Sequence, residues 1–211
     1  IVSDVMMPRM NGYKLCKTIK EDINISHIPV ILLTARDDRQ SQISGYKNGA
    51  DGYLSKPFEV EMLMELIRNR LKNREYTKKR YLNAGLIPTP EESTISLTDE
   101  TFLIKLNSII QENIENSNLG IQFICQEVGL GRSSLYNKLK ALTGMGANEY
   151  ISKLRIEKAI TLISGTDMPF SEIAEKTGFT TPSYFSTAFK QYTGETPSQY
   201  KERKKKGLAG K

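Results

Sequence analysis

Several things are scarce in this chain, and each scarcity narrows its function. Of 211 residues, two are cysteine (Cys16 and Cys125) and one is histidine, His27. The cysteines fall at helical core positions in different halves, so reduced core thiols are expected rather than a disulfide framework. His27, in the run SHIPV ahead of an apolar strand, is expected to be structural rather than catalytic. No apolar run approaches the ~18 residues of a membrane helix, and no signal peptide precedes the first strand. The expectation is a cytoplasmic chain without membrane contact. One-sided charge is also scarce. Residues 1–71 carry 10 basic and 9 acidic side chains, 72–98 carry 5 and 3, and 99–211 carry 15 and 12. That bias permits nucleic-acid binding without pointing to it. The chain opens at Ile1 inside an apolar run and without Met, so it is expected to be part of a longer protein.

What the chain does have is a duplication. Gly129 heads GLGRSSLYNKLKALTGMGANEYI, and Gly178 heads GFTTPSYFSTAFKQYTGETPSQYK. From Ser133 and Ser183 onward the copies align at an offset of 50, pairing Leu135 with Phe185, Leu139 with Phe189, Lys140 with Lys190 and Tyr150 with Tyr200. Before that the offset is 49, so the second copy has one extra residue in its turn. Each copy, about 118–145 and about 167–195, reads as a short helix, a Gly-containing turn and a second helix. Two such units in one chain can address adjacent major grooves of double-stranded DNA.

Periodicity says which face would read the bases. In the first copy Leu135, Leu139 and Leu142 point inward, opposite Ser133, Tyr136, Asn137 and Lys140. In the second copy Phe185, Phe189 and Tyr192 point inward, opposite Ser183, Ser186, Thr187 and Lys190. Both outward sets are spaced i, i+3, i+4, i+7, one stripe of an α-helix. Asn137 can make a bidentate contact with adenine, and Tyr136 can pack on a thymine methyl or bond a phosphate. Arg132, Lys140 and Lys190 suit phosphate, which positions without specifying. The basic tail from 204 is read equally as solvated or phosphate-binding, and Glu149 and Gln199 have no evident role.

The first part alternates strand and helix: a strand end at Ile1–Ser3, a helix over 12–22, an apolar strand over 29–34, a polar helix over 39–48 closed by Gly49, a strand over 52–54, and an amphipathic helix over 59–72. This predicts a parallel α/β sheet. Asp4, Thr34 and Lys56 stand at successive strand ends, which converge on one crevice in such a sheet. A carboxylate there can attack phosphorus, flanked by a hydroxyl and an ammonium. From 72 to 98 a basic cluster, Gly85, Pro88, Pro90 and polar residues mark a linker. Thr98 is expected to cap a helix running to about Asn116, and a helix over 147–164 joins the repeats.

With DVMMPRMNG, ILLTA and GADGYLSKPF in order, residues 1–72 resemble the receiver domain of two-component response regulators, a flavodoxin-like α/β fold, here incomplete. The resemblance implies Asp4 as phosphoacceptor, Thr34 as switch hydroxyl, Tyr53 as switch aromatic, Lys56 as the phosphate-pairing lysine, a cis bond before Pro57, and a backbone carbonyl of Met6 for Mg²⁺. The family's preceding β-α-β-α stretch, with its acidic Mg²⁺-binding pair, is absent, so Mg²⁺ is expected to be weakly held or not held here. Residues 98–203 resemble the AraC-type DNA-binding domain, after a linker at 73–97. Together the two resemble the carboxyl end of hybrid two-component regulators. That implies a transcription regulator rather than an enzyme, an upstream histidine kinase that could share the parent chain, and a homodimer when activated. Two alternatives stand beside it: a phosphatase-like enzyme using Asp4, weakened by Met6 where a second carboxylate would be needed, and an α/β remnant that serves only for dimerisation.

Overall fold

The computed structural model describes residues 1–35, 45, 47–84 and 97–209. The chain forms two compact units. One comprises Ile1–Ile104 with Ser133–Gly144, the other Lys105–Arg132 with Met145–Lys211.

In the first unit, β1 (Val2–Asp4), β2 (Ile31–Thr34) and β3 (Gly52–Ser55) form a parallel sheet in the order β1-β2-β3. The continuous apolar run at Ile31–Leu33 suits a central strand covered on both faces, and Ile31 and Leu32 are buried. Helix α1 (Gly12–Glu21) starts at Asn11, whose side chain accepts a hydrogen bond from the Lys14 amide at 2.8 Å. Its inward Cys16 and Ile19 join Val5, Val30, Leu32 and Ala50 in the core. The expected helix at 39–48 lies almost wholly outside the described residues; Gly49, its expected cap, is left-handed at φ 82°.

Helix α2 departs from expectation. It runs Val60–Ala84 rather than ending near 72, and so continues through Lys78-Lys79-Arg80. No Gly or Pro interrupts the segment, and straight-chain helix formers dominate it. Its packing face is made by Leu63, Leu66 and Ile67, which are half-buried, whereas Val60, Met64 and Leu71 are exposed. Leu66 is the residue packed over Gly52 of β3.

Helix α3 (Leu97–Glu112) begins one residue before Thr98 and ends short of Asn116. Thr98 is therefore not its cap; the hydroxyl donates instead to the Lys20 carbonyl at 2.9 Å. Helix α4 spans Ile121–Val128. Helix α5 (Arg132–Thr143) buries Leu135, Leu139 and Leu142 as predicted.

The second unit packs α6 (Ala147–Gly165), α7 (Phe170–Lys176), α8 (Pro182–Thr193) and α9 (Pro197–Ala209) around one core. Ile156, Ala159, Ile163, Ile173 and Ala174 meet Phe179, Phe185, Phe189 and Tyr200 there. The aromatics form an edge-on series: Phe185–Phe189 at 5.7 Å between centroids and Phe189–Tyr200 at 5.6 Å, the favoured arrangement for ring quadrupoles. The duplication is visible in the backbone. Gly129 and Gly178 are left-handed at φ 74° and 70°, as are Gly144 and Gly194 at 78° and 84°. At Gly178 the constraint is also steric, because a Cβ would lie 2.2 Å from the Ile114 carbonyl oxygen.

Candidate phosphoacceptor site and nucleic-acid interface

Sheet register assembles the predicted strand-end residues. Asp4 ends β1 opposite Leu33, and Thr34 ends β2 opposite Ser55. The Lys56 amide donates to the Thr34 carbonyl at 2.6 Å. The Lys56 Nζ lies 2.6 Å from Asp4 Oδ1, with both side chains partly exposed. The Lys56–Pro57 bond is cis, as the resemblance implied. Thr34 is buried, and Tyr53 is half-buried on β3. Gly12, which sequence reasoning passed over, makes this end possible. A Cβ there would lie 2.4 Å from the Asp4 carbonyl oxygen, while its amide donates to Val5 at 2.9 Å.

The residues present fit Mg²⁺ poorly. Among the described residues no group of three or more His, Cys, Asp or Glu could hold a metal, and the ammonium of Lys56 stands against Asp4. A single carboxylate with the Met6 carbonyl does not complete an octahedral oxygen shell.

On α5 the residues Arg132, Ser133, Tyr136, Asn137 and Lys140 are all exposed, opposite the buried leucines. On α8, Ser183, Thr187 and Lys190 are exposed, and Ser186 is half-buried. The Thr187 hydroxyl donates to the Ser183 carbonyl at 3.1 Å, which leaves it less able to donate to a base. Thr181 caps α8 by accepting from the Tyr184 amide at 3.1 Å. Tyr184 itself is 56% exposed, with its ring against Phe179.

Two inward assignments need correction. Tyr192 is 41% exposed. Its ring rests at the edge of the unit and its hydroxyl donates to Glu157 on α6 at 3.2 Å, as an aromatic with a polar tip allows. Burial and the Glu157 charge push its pKa up, and burial pushes that of Glu157 up as well. Cys125 is half-buried rather than in the core; it borders a surface depression with Gln122, Gln126 and the Gly129–Gly131 turn. Glu149 and Gln199 do have roles: Glu149 Oε2 accepts from the Gly146 amide at 3.3 Å, and Gln199 exchanges hydrogen bonds with Thr196. Both close the first turn of a helix, the second as a capping box.

Lys138 was missed altogether. It is 0% exposed. Its Nζ bonds Asp99 Oδ1 and lies 2.7 Å from Ser26 Oγ, 5.1 Å above the Phe102 ring. Ser26 Oγ in turn donates to Asp99 Oδ1 at 2.7 Å. Burial lowers the Lys138 pKa, and the Asp99 carboxylate opposes that shift. The signal was available: the stripe through Leu135, Leu139 and Leu142 passes through position 138. Neighbouring His27 is lowered to about 4, first by burial and then by Arg74 and Lys138. Its Nδ1 is buried with no hydrogen-bond partner among the described residues.

Comparison with known proteins agrees with this geometry. Residues 1–68 match the response regulator receiver domain, and residues 124–203 match a helix-turn-helix domain. The chain thus joins a receiver domain to a helix-turn-helix domain, and its helical part resembles AraC-type DNA-binding domains. Histidine kinase P4 of Formosa agariphila is 43% identical over 96% of this chain, which spans 15% of that protein's length. The probable transcriptional regulator ycf29 of Pyropia yezoensis is 29% identical over 71% of this chain and 72% of its own. The solved C-terminal domain of AraT, a response regulator from Geobacillus stearothermophilus, is 31% identical, covering 48% of this chain and 84% of that one, with a TM-score of 0.46. Among the described residues no helix is long and apolar enough to cross a membrane.

Proposed function

We propose that this chain is the output end of a phosphorelay: Asp4 accepts a phosphoryl group, and the two helix-turn-helix units read double-stranded DNA. The observation that supports the first half most directly is the Lys56–Asp4 pair at the carboxyl ends of the strands. A carboxylate oxygen of Asp4 attacks the phosphorus of a phosphohistidine; the N–P bond breaks and the imidazole leaves, taking a proton. The Thr34 hydroxyl and Lys56 ammonium hold the transferred oxygens, with Tyr53 as the switch aromatic. Asp4 and the Met6 carbonyl bind Mg²⁺ weakly by themselves. The donor is a histidine kinase, and the kinase name of one relative makes a shared parent chain the natural source.

The DNA half rests on the exposed stripes opposite buried cores. Asn137 reads adenine, Tyr136 packs beside it, and Ser133, Ser183, Ser186 and Thr187 make weaker contacts. Arg132, Lys140 and Lys190 bind phosphate. The receiver covers 1–72, a linker 73–97 and the DNA-binding domain 98–203. The activated form is a cytoplasmic homodimer.

Acetyl phosphate with Mg²⁺ tests the first half. Slow labelling that Asp4→Asn abolishes is expected; fast labelling that survives Asp4→Asn contradicts it. Binding measured against salt tests the second. Lys140→Ala and Lys190→Ala should each weaken all sequences alike and reduce the log–log salt slope by about 0.9.

A further inference from the structure

We infer that Lys138 is a positioning residue for the DNA-reading face of α5, and that the α/β sheet sets its position through Ser26. The inference rests on α5 as a reading helix. Lys138 follows Asn137 directly, so anchoring its ammonium fixes the rotation at which Tyr136, Asn137 and Lys140 face outward. The anchor is directional, with Asp99, Ser26 and the Phe102 ring on three sides. The Ser26 loop is itself tied to the sheet. The Lys20 ammonium donates to the carbonyls of Ser26 at 3.3 Å and Ile28 at 3.0 Å, and pairs with Asp51 at 2.7 Å. Asp51, just before β3, accepts from the Val30 amide just before β2, at 2.7 Å.

A buried ionic cluster adds little stability over an apolar core of the same shape; its established use is to specify one arrangement. The duplicated sequence supplies the control. At the offset of 50, Lys138 corresponds to Ala188, so the second copy has no such anchor. Because the reading set on α5 stays exposed while Lys138 is buried, the cluster presents the helix to DNA rather than hiding it. Releasing it weakens recognition.

The test uses the full chain with Ser26→Ala, the paired variant Lys138→Met/Asp99→Leu, and the triple combination. Amide exchange is read without DNA, and base preference on singly substituted sites. Ser26→Ala removes hydrogen bonds to two charged groups, so exchange across 133–144 should rise about tenfold, with 182–193 unchanged. Discrimination at the base read by Asn137 should fall about tenfold, while discrimination by α8 is kept. The paired variant should fold and show the same loss, and adding Ser26→Ala should change nothing more. Unchanged exchange at 133–144, an equal rise in both helices, or full discrimination in the paired variant would overturn the inference. Asn137→Ala is run alongside: if base preference survives it, the reading of α5 fails, and the exchange data still decide the mechanical link.

Discussion

Helices α5 and α8 occupy matching places in the two repeats and are held by different physics. Helix α8 is fixed by an aromatic series, with Phe185 and Phe189 fully buried among Phe179 and Tyr200. Helix α5 has leucines at the matching positions and adds the Lys138–Asp99–Ser26 cluster. Aromatic packing is tolerant in angle and contained within its unit. The ionic cluster costs desolvation, holds one geometry, and reaches into the segment that carries Asp4. One helix is thus held within its own aromatic core, and the other is tied to the parallel sheet.

The largest test breaks each anchor. Asp99→Ala leaves the Lys138 ammonium buried and unpaired, which should cost about 3–5 kcal/mol in urea unfolding. Phe189→Ala should cost a similar 3–5 kcal/mol or so through its cavity. The anchors separate on compensation: Lys138→Met/Asp99→Leu should return close to wild-type stability, and a persistent loss above about 2 kcal/mol would contradict an ionic anchor.

Next come the turns. Gly129→Ala and Gly178→Ala both force a left-handed alanine, at about 1–2 kcal/mol. At Gly178 the new Cβ also meets a carbonyl, so that variant should melt lower than its partner; at Gly129 nothing among the described residues lies within 4 Å. Equal melting temperatures would refute the packing difference.

Acid should also separate the units. The His27 pKa falls from its usual 6.5 to about 4 on folding, so the unfolded chain binds the proton first. Its contribution is complete above pH 6.5 and is lost as pH falls toward 4. The first unit should weaken over that window, and His27→Gln should flatten the loss. Glu157 works the other way in the second unit. Its carboxyl is raised, so acid relieves a penalty there. The smallest effect is Thr181→Ala, about 1 kcal/mol for a lost helix cap, measured by thermal melting.

Much of this was legible in the sequence because it depends on period. The apolar run at Ile31–Leu33 forced a covered strand, and parallel strands then brought Asp4, Thr34 and Lys56 to one end. The leucine and phenylalanine stripes fixed the outward faces. The misses have local causes. Helix α2 overran its predicted end because nothing before Gly85 breaks a helix. Lys138 escaped because a charged residue is read as surface unless a partner is known, and its partners are distant in sequence. Gly12 depends on how closely α1 approaches a strand-end carbonyl, and Glu149 and Gln199 depend on turn geometry; neither leaves a periodic trace.

On the proposed function, one chain reads DNA through two tandem and unequal helices. Selection of bound sequences from a random pool tests it most directly, with wild type beside Asn137→Ala and Thr187→Ala. The account predicts an asymmetric site with two short zones about 10 base pairs apart. Asn137→Ala should erase a preference worth about 1–3 kcal/mol in one zone alone, with a smaller change in the other zone for Thr187→Ala. A single palindrome, or an unchanged preference with Asn137→Ala, would contradict it.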